Sequence, residues 1–169
     1  KVKDRSYELL FKAQSKKTGL IPNWANLDGE PQLVPWQKEQ YAFWGYDAAR
    51  VAWRVALDHD WNHDERAKRL LQPLCEFFVD KGDEIGGEYS LDGNSISNAN
   101  PYFLSMSVAT VFKPGWQLRC GETDKVLQST IDLKRKFLWT RDKEPFTYYG
   151  NAWKLLTLMH LTNNFPRFY

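Results

Sequence analysis

A carboxylate, a phenol and two guanidinium groups crowd the start of the run Gly45-Tyr46-Asp47-Ala48-Ala49-Arg50-Val51-Ala52-Trp53-Arg54-Val55-Ala56-Leu57-Asp58. Small and apolar residues at 48, 49, 52, 55, 56 and 57 supply one buried helical face, while Asp47, Arg50 and Arg54 recur at spacings of three and four and so share another. That second face can hold one ligand. Trp44, Tyr46 and Trp53 around it suit a sugar, which is held by aromatic faces with carboxylates and guanidinium groups at its edges. The plain alternative is that Asp47 caps the helix, since Asp is a preferred N-cap and its charge suits the positive end of the dipole. Arg54 is left open between a salt bridge to a neighbouring loop and support of the site.

These elements resemble a known family. From Gly45 to Asp58, and on through Trp61-Asn62-His63-Asp64-Glu65-Arg66-Ala67, the chain resembles the second half of glycoside hydrolase family 8, inverting endo-glycosidases that fold as an (α/α)6 barrel. Thr18-Gly19-Leu20-Ile21-Pro22-Asn23-Trp24-Ala25-Asn26 is similar to the family's loop before the base-bearing helix, and Tyr148-Tyr149-Gly150-Asn151-Ala152-Trp153-Lys154-Leu155-Leu156 to its final helix. The three segments come in the family's order and span essentially the whole chain.

The resemblance implies an all-α fold in which residues 1–169 are the carboxy-terminal half of a single barrel, completed by an amino-terminal half. It implies that Asp47 is the general base, that Tyr46 and Arg50 border the catalytic centre, that Tyr148 and Tyr149 contact sugar, and that Trp24 lies in a loop facing the cleft. An inverting mechanism needs a second carboxyl group about 6.5–9.5 Å away to protonate the leaving oxygen. In the family this is a Glu of the amino-terminal half, so Glu39, Glu65, Glu84, Glu88 and Glu144 are read as solvated surface acids. The implied activity is hydrolysis of a β-1,4-linked polysaccharide or oligosaccharide in the manner of a cellulase or xylanase, requiring the amino-terminal half, in a secreted or periplasmic protein. Glucan and xylan rank above chitosan, whose cationic sugars call for an acidic patch that the cleft loops lack. A non-catalytic carbohydrate-binding or scaffolding half-barrel is the alternative.

Composition sets wider bounds. A chain of 169 residues with a formal net charge of +2 has the length of one ordinary domain, and no Lys/Arg stripe interleaved with aromatics argues for nucleic acid. Lys134-Arg135-Lys136 reads as a solvated helix face. The 8 tryptophans are several-fold more than an average chain carries; an excess of Trp and Tyr suits a carbohydrate cleft, although core packing is favoured for Trp44, Trp53 and Trp153. His59, His63 and His160 are too scattered for a zinc site, and neither a metal nor another cofactor is expected. Cys75 sits among Leu70, Leu71, Leu74, Phe77 and Phe78, where a buried free thiol is preferred to a bridge with Cys120. No signal peptide or membrane span is present, but a chain opening on Lys1 inside a helical pattern says little about secretion.

Hydrophobic periodicity predicts helices over 4–17, 46–58, 64–79, 101–111, 122–139 and 148–161, pairing into hairpins. Gly19 reads as a helix stop, and Pro73 as a kink in the third helix. Asn100 and Pro101 open the fourth. The proline- and tryptophan-bearing stretch 20–43 and the Gly/Ser/Asn-rich stretch 82–100 are predicted as long loops shaping the functional face, the second with a short strand near 88–91.

Overall fold

The computed structural model describes residues 1–35, 42–81, 87–97, 110, 113 and 148–166. Among these residues the chain forms four helices, α1 (Val2–Ala13), α2 (Tyr46–Asn62), α3 (Glu65–Lys81) and α4 (Tyr148–Leu161), and three short strands, β1 (Phe43–Trp44), β2 (Glu88–Ser90) and β3 (Ser95–Ser97). The helices predicted over 101–111 and 122–139 lie outside the described residues, apart from Thr110.

Helices α2 and α3 form the centre. Ala48, Ala49, Ala52, Val55 and Ala56 of α2 are buried against Ala67, Leu70, Leu71, Leu74 and Phe78 of α3, in one cluster that also includes Tyr7 of α1, Tyr89 of β2 and Trp153 of α4. Four alanines on one stripe leave α2 little side-chain bulk on that side, so neighbouring elements can approach its backbone closely. The turn between the helices is tight because His63 adopts the left-handed conformation (φ 52°), its N–H bonded to the His59 carbonyl at 2.8 Å. Asp64 then caps α3, accepting the Arg66 N–H on Oδ1 at 3.0 Å.

At this end of the hairpin α1 is clamped down by charge. Lys3 bridges Asp58 (3.0 Å) and Asp64 (2.9 Å), Arg66 reaches both Asp64 (2.8 Å) and Asp4 (2.9 Å), and the Tyr7 hydroxyl donates to Asp58 at 2.7 Å. Helix α1 ends at Ala13, four residues short of the predicted boundary. Gln14 turns extended, and its side-chain amide donates to the carbonyls of Gly19 (2.9 Å) and Leu70 (2.7 Å), exchanging further helix for a tie to α3. Gly19 is therefore a point of close approach and not a helix stop. With φ +73° it presses on α3, where a Cβ would stand 2.5 Å from the Leu74 nitrogen. Helix α3 runs on through Pro73 to Lys81.

The predicted loops also carry more order than their composition suggests. β1, β2 and β3 form an antiparallel sheet in that order, with Trp44 opposite Tyr89 and Phe43 opposite Ser90. A turn with Gly93 at φ +94° joins β2 to β3. Trp44, Tyr89 and Phe78 pack with ring centroids 5.0–6.2 Å apart, so the sheet is pinned to α3 by aromatic side chains. The Ser15 and Thr18 hydroxyls both donate to the Leu91 carbonyl, at 3.0 and 2.8 Å, tying the turn after α1 to the end of β2. Cys75 is disulfide-bonded, against the free thiol expected from its apolar surroundings. Its burial among leucines is real, at 1% exposure, but does not distinguish a thiol from a half-cystine, and Cys120 lies outside the described residues.

Candidate active site

Helix α2 starts without a cap of its own. The N-cap residue is Gly45, which has no side chain to offer, and the first intrahelical bond runs from the Ala49 N–H to the Gly45 carbonyl at 2.9 Å. The orphan N–H groups are met from elsewhere in the chain. Asn23 Oδ1 accepts the N–H of Asp47 at 3.1 Å and that of Ala48 at 3.0 Å, while the Asn23 N–H donates to the Phe43 carbonyl at 2.8 Å. An amide from the loop thus does what an N-cap side chain does. Asp47 stands at the second helical position, and its side chain does not cap.

What that side chain does instead is pair with Arg50. Arg50 Nη2 donates to Asp47 Oδ1, and Nε lies 3.4 Å from the Asp47 carbonyl oxygen. The two side chains are 30% and 32% exposed, so a pair fixed to the helix start remains open to a ligand or an incoming water. Next to it Tyr46 is half-buried, and burial, then the Glu88 carboxylate, then Tyr149, push its phenol above the ordinary tyrosine value. Glu88 is therefore a half-buried neighbour of Tyr46 on β2 and not the solvated surface acid expected of it.

Aromatic rings extend this group along α2 and α4. Tyr149, 43% exposed, lies 6.4 Å from Trp153 between ring centroids; Trp153 meets Trp53 edge-on at 5.3 Å; Trp53 is one turn beyond Arg50. Trp44 is 1% exposed and Trp153 6%, so both are core, whereas Trp53 is only partly buried. Tyr148 is 90% exposed and makes no hydrogen bond or ring contact to another described residue. Trp24 is half-buried directly after the capping Asn23, its carbonyl accepting the Gln32 N–H at 2.9 Å. Arg54 is exposed and forms no ion pair among the described residues. Asp47, Arg50, Tyr46 and Tyr149 are thus brought together, Trp24 adjoins them through Asn23, and Tyr148 stands apart.

Asn23 escaped the reading of the sequence, although it lies within the quoted loop motif. The signal was available in Gly45: a helix that begins on glycine, with no Ser, Thr, Asp or Asn at the cap, must draw its acceptor from elsewhere or leave it to water. A second polar cluster lies at the far end of α2, where Asp60 Oδ2 meets Lys113 Nζ and, at 2.7 Å, Nε2 of His160, which is 1% exposed. It fastens α4 to α2. No group of three or more His, Cys, Asp and Glu side chains among the described residues is arranged to hold a metal ion.

The motifs and the architecture have counterparts among known proteins. Endoglucanase A of Acetivibrio thermocellus is 33% identical over 168 residues, covering 98% of this chain and 32% of the relative. A reducing end xylose-releasing exo-oligoxylanase of Halalkalibacterium halodurans is 25% identical over 172 residues, covering 96% of this chain and 39% of the relative. Among solved structures, that of Rex8A from Paenibacillus barcinonensis complexed with xylose superposes with a TM-score of 0.72 at 26% identity, over 97% of this chain and 42% of that one. The chain accordingly spans between about a third and two fifths of the length of these relatives. The family model described as glycosyl hydrolases family 8 matches residues 1–162, nearly the whole chain, and the chain belongs to that family.

Proposed function

We propose that this chain carries the base-bearing half of an inverting β-1,4-glycosidase, with Asp47 as the general base that deprotonates the attacking water. The observation that carries this reading is the cap on α2. Because Asn23 supplies the acceptor for the first N–H groups, the Asp47 carboxylate is left free of that duty, one third exposed beside Arg50 and next to Tyr46. A carboxylate whose only task was capping would be turned back onto the N–H groups that Asn23 occupies.

In the proposed mechanism Arg50 orients the carboxylate, Tyr46 donates a hydrogen bond at the edge of the centre, and Tyr149 with Trp24 lines the sugar path. Tyr148 joins them only if substrate or the remainder of the barrel draws it in. The general acid is a Glu in an amino-terminal half of the same (α/α)6 barrel, and activity requires that half. The substrate is a β-1,4-glucan or xylan, in keeping with the endoglucanase and exo-oligoxylanase names of the relatives. The bridged Cys75 supports a secreted or periplasmic site of action, since disulfides persist in oxidising compartments.

The test is Asp47→Asn in the assembled enzyme, assayed on a soluble β-1,4-glucan and on xylo-oligosaccharides. Turnover should fall by roughly 10²–10⁴ with substrate binding nearly intact, because the amide keeps the size of the carboxylate but cannot take the proton. The wild-type enzyme should release product as the α-anomer first, read by proton NMR before mutarotation. Wild-type turnover in the Asn variant would remove Asp47 from the mechanism, and a β-anomer would exclude inversion.

A further inference from the structure

We propose that Asn23 is a positioning residue for the Asp47 carboxylate, holding the first turn of α2 from the preceding loop so that the base faces the cleft. The inference rests on the general-base reading of Asp47 and deepens it by one residue. One of the two N–H groups that Asn23 Oδ1 accepts belongs to Asp47 itself, so a shift of the amide rotates the peptide that carries the base. The loop is fixed on both sides of this contact. The Asn23 N–H is tied to the Phe43 carbonyl at 2.8 Å, just before Gly45, and Oδ1 to Asp47 and Ala48 just after it.

Gly45 makes the arrangement sterically possible. A Cβ there would stand 3.1 Å from Asn23 Nδ2 and 2.9 Å from Phe43 Cε2, closer than a side chain is normally admitted. A local Ser or Asp cap at 45 would therefore compete with Asn23 for the same space, and the cap comes from residue 23 instead. An amide also suits the place electrostatically. Asp would cap about equally well, but it would set a second negative charge beside Asp47 and disfavour its ionised form. Among the described residues, Arg50 on α2 is paired with Asp47, and the neighbouring Tyr46 phenol faces Glu88 on β2 and the phenol of Tyr149 on α4.

Asn23→Ala, Asn23→Asp and Asp47→Asn, made in the full-length enzyme and assayed on soluble β-1,4-glucan across pH, test the proposal. Asn23→Ala should lower kcat by roughly 10- to 100-fold with KM within about twofold, as a displaced base but intact subsites require. Asn23→Asp should keep the melting temperature, recover most of kcat at high pH, and move the acid limb of the kcat/KM profile upward by on the order of one pH unit. An acid limb unmoved in Asn23→Asp, together with wild-type kcat in the folded fraction of Asn23→Ala, would reduce Asn23 to a cap and overturn the proposal. Should Asn23→Ala fail to fold, the limb in Asn23→Asp decides alone. An inactive Asp47→Asn beside wild-type behaviour at 23 removes only the positioning role, whereas an active Asp47→Asn removes the reading beneath it.

Discussion

At the scale of single residues, the capping question shows why a carboxylate at a helix start is ambiguous in sequence and not in structure. Asp and Asn cap about equally well, so composition cannot say which of Asn23 and Asp47 does the capping. Only the chain path through Phe43 and Gly45, which brings Asn23 across to α2, assigns the cap to Asn23. The cluster around Asp47 was legible because helical spacing alone puts Arg50 beside it. Glu88 was not, because its approach to Tyr46 depends on a strand pairing that no local pattern announces. Burial, Glu88 and Tyr149 all raise the Tyr46 phenol, so it stays protonated through any ordinary working pH and, on the proposed reading, serves as a donor. Tyr46→Phe should therefore lower kcat/KM by roughly 10-fold, the order expected for one lost donor, and leave the alkaline limb of the pH profile where it was. A shifted alkaline limb would mean that Tyr46 itself titrates in the reaction.

At the scale of elements, α3 and α4 keep close to their predicted bounds, α3 despite Pro73, whereas α2 runs four residues further, to Asn62; the side that α4 buries carries Gly150, Trp153, Thr157 and His160, while Leu155 is left exposed. What periodicity could not reveal are contacts without a local signature. The early end of α1 follows from Gln14 reaching Leu70, and two- and three-residue strands are too short to alternate visibly. The clamp between α1 and the α2–α3 turn has a pH signature. Arg66 and then Lys3 hold the Asp64 carboxyl well below the usual range, and at Asp58 the Tyr7 hydroxyl, the Asn62 amide and Lys3 outweigh the opposing effect of burial. Carboxyls depressed in the folded state contribute stability that is present above the unfolded value near 3.8 and is lost as pH falls through the folded one. Burial, then Asp58, raises Tyr7, whose contribution is present below the unfolded value near 10.0 and is lost as pH climbs beyond it. The melting temperature should accordingly hold across neutral pH and fall below about pH 4 and above about pH 10. Asp64→Asn keeps the α3 cap but removes the charge; it should cost about 1 kcal/mol at pH 7 and flatten the acid branch. An acid branch as steep as the wild type's, followed by circular dichroism, would place the acid sensitivity elsewhere.

At the scale of the whole molecule, the described residues include several apolar and aromatic side chains that stand in water. Val2 is 84% exposed, Leu27 86%, Leu155 58% and Tyr148 90%. Scattered apolar residues are ordinary on any surface, but Val2 and Leu27 line one concave face with Leu9. Together with a length of about a third to two fifths of the relatives, this supports the proposal that the chain is one half of a barrel. Exposed apolar surface costs about 25 cal/mol per Å², so an isolated half has a standing reason to associate. Expressed alone, residues 1–169 should aggregate, self-associate or melt without cooperativity, as read by sedimentation and tryptophan fluorescence. Mixed with a separately produced amino-terminal half from the same enzyme, they should give a 1:1 complex with a single cooperative transition. Hydrolysis of β-1,4-glucan should appear only in that mixture, because on the proposed mechanism the base needs an acid that the other half supplies. Asp47→Asn in the mixture should leave the complex and its melt intact while removing turnover, which separates assembly from chemistry. A cooperative, monomeric 1–169 that hydrolyses glucan unaided would show that both carboxyl groups lie within this chain, and the general acid would then have to be sought among its own glutamates, beginning with Glu88.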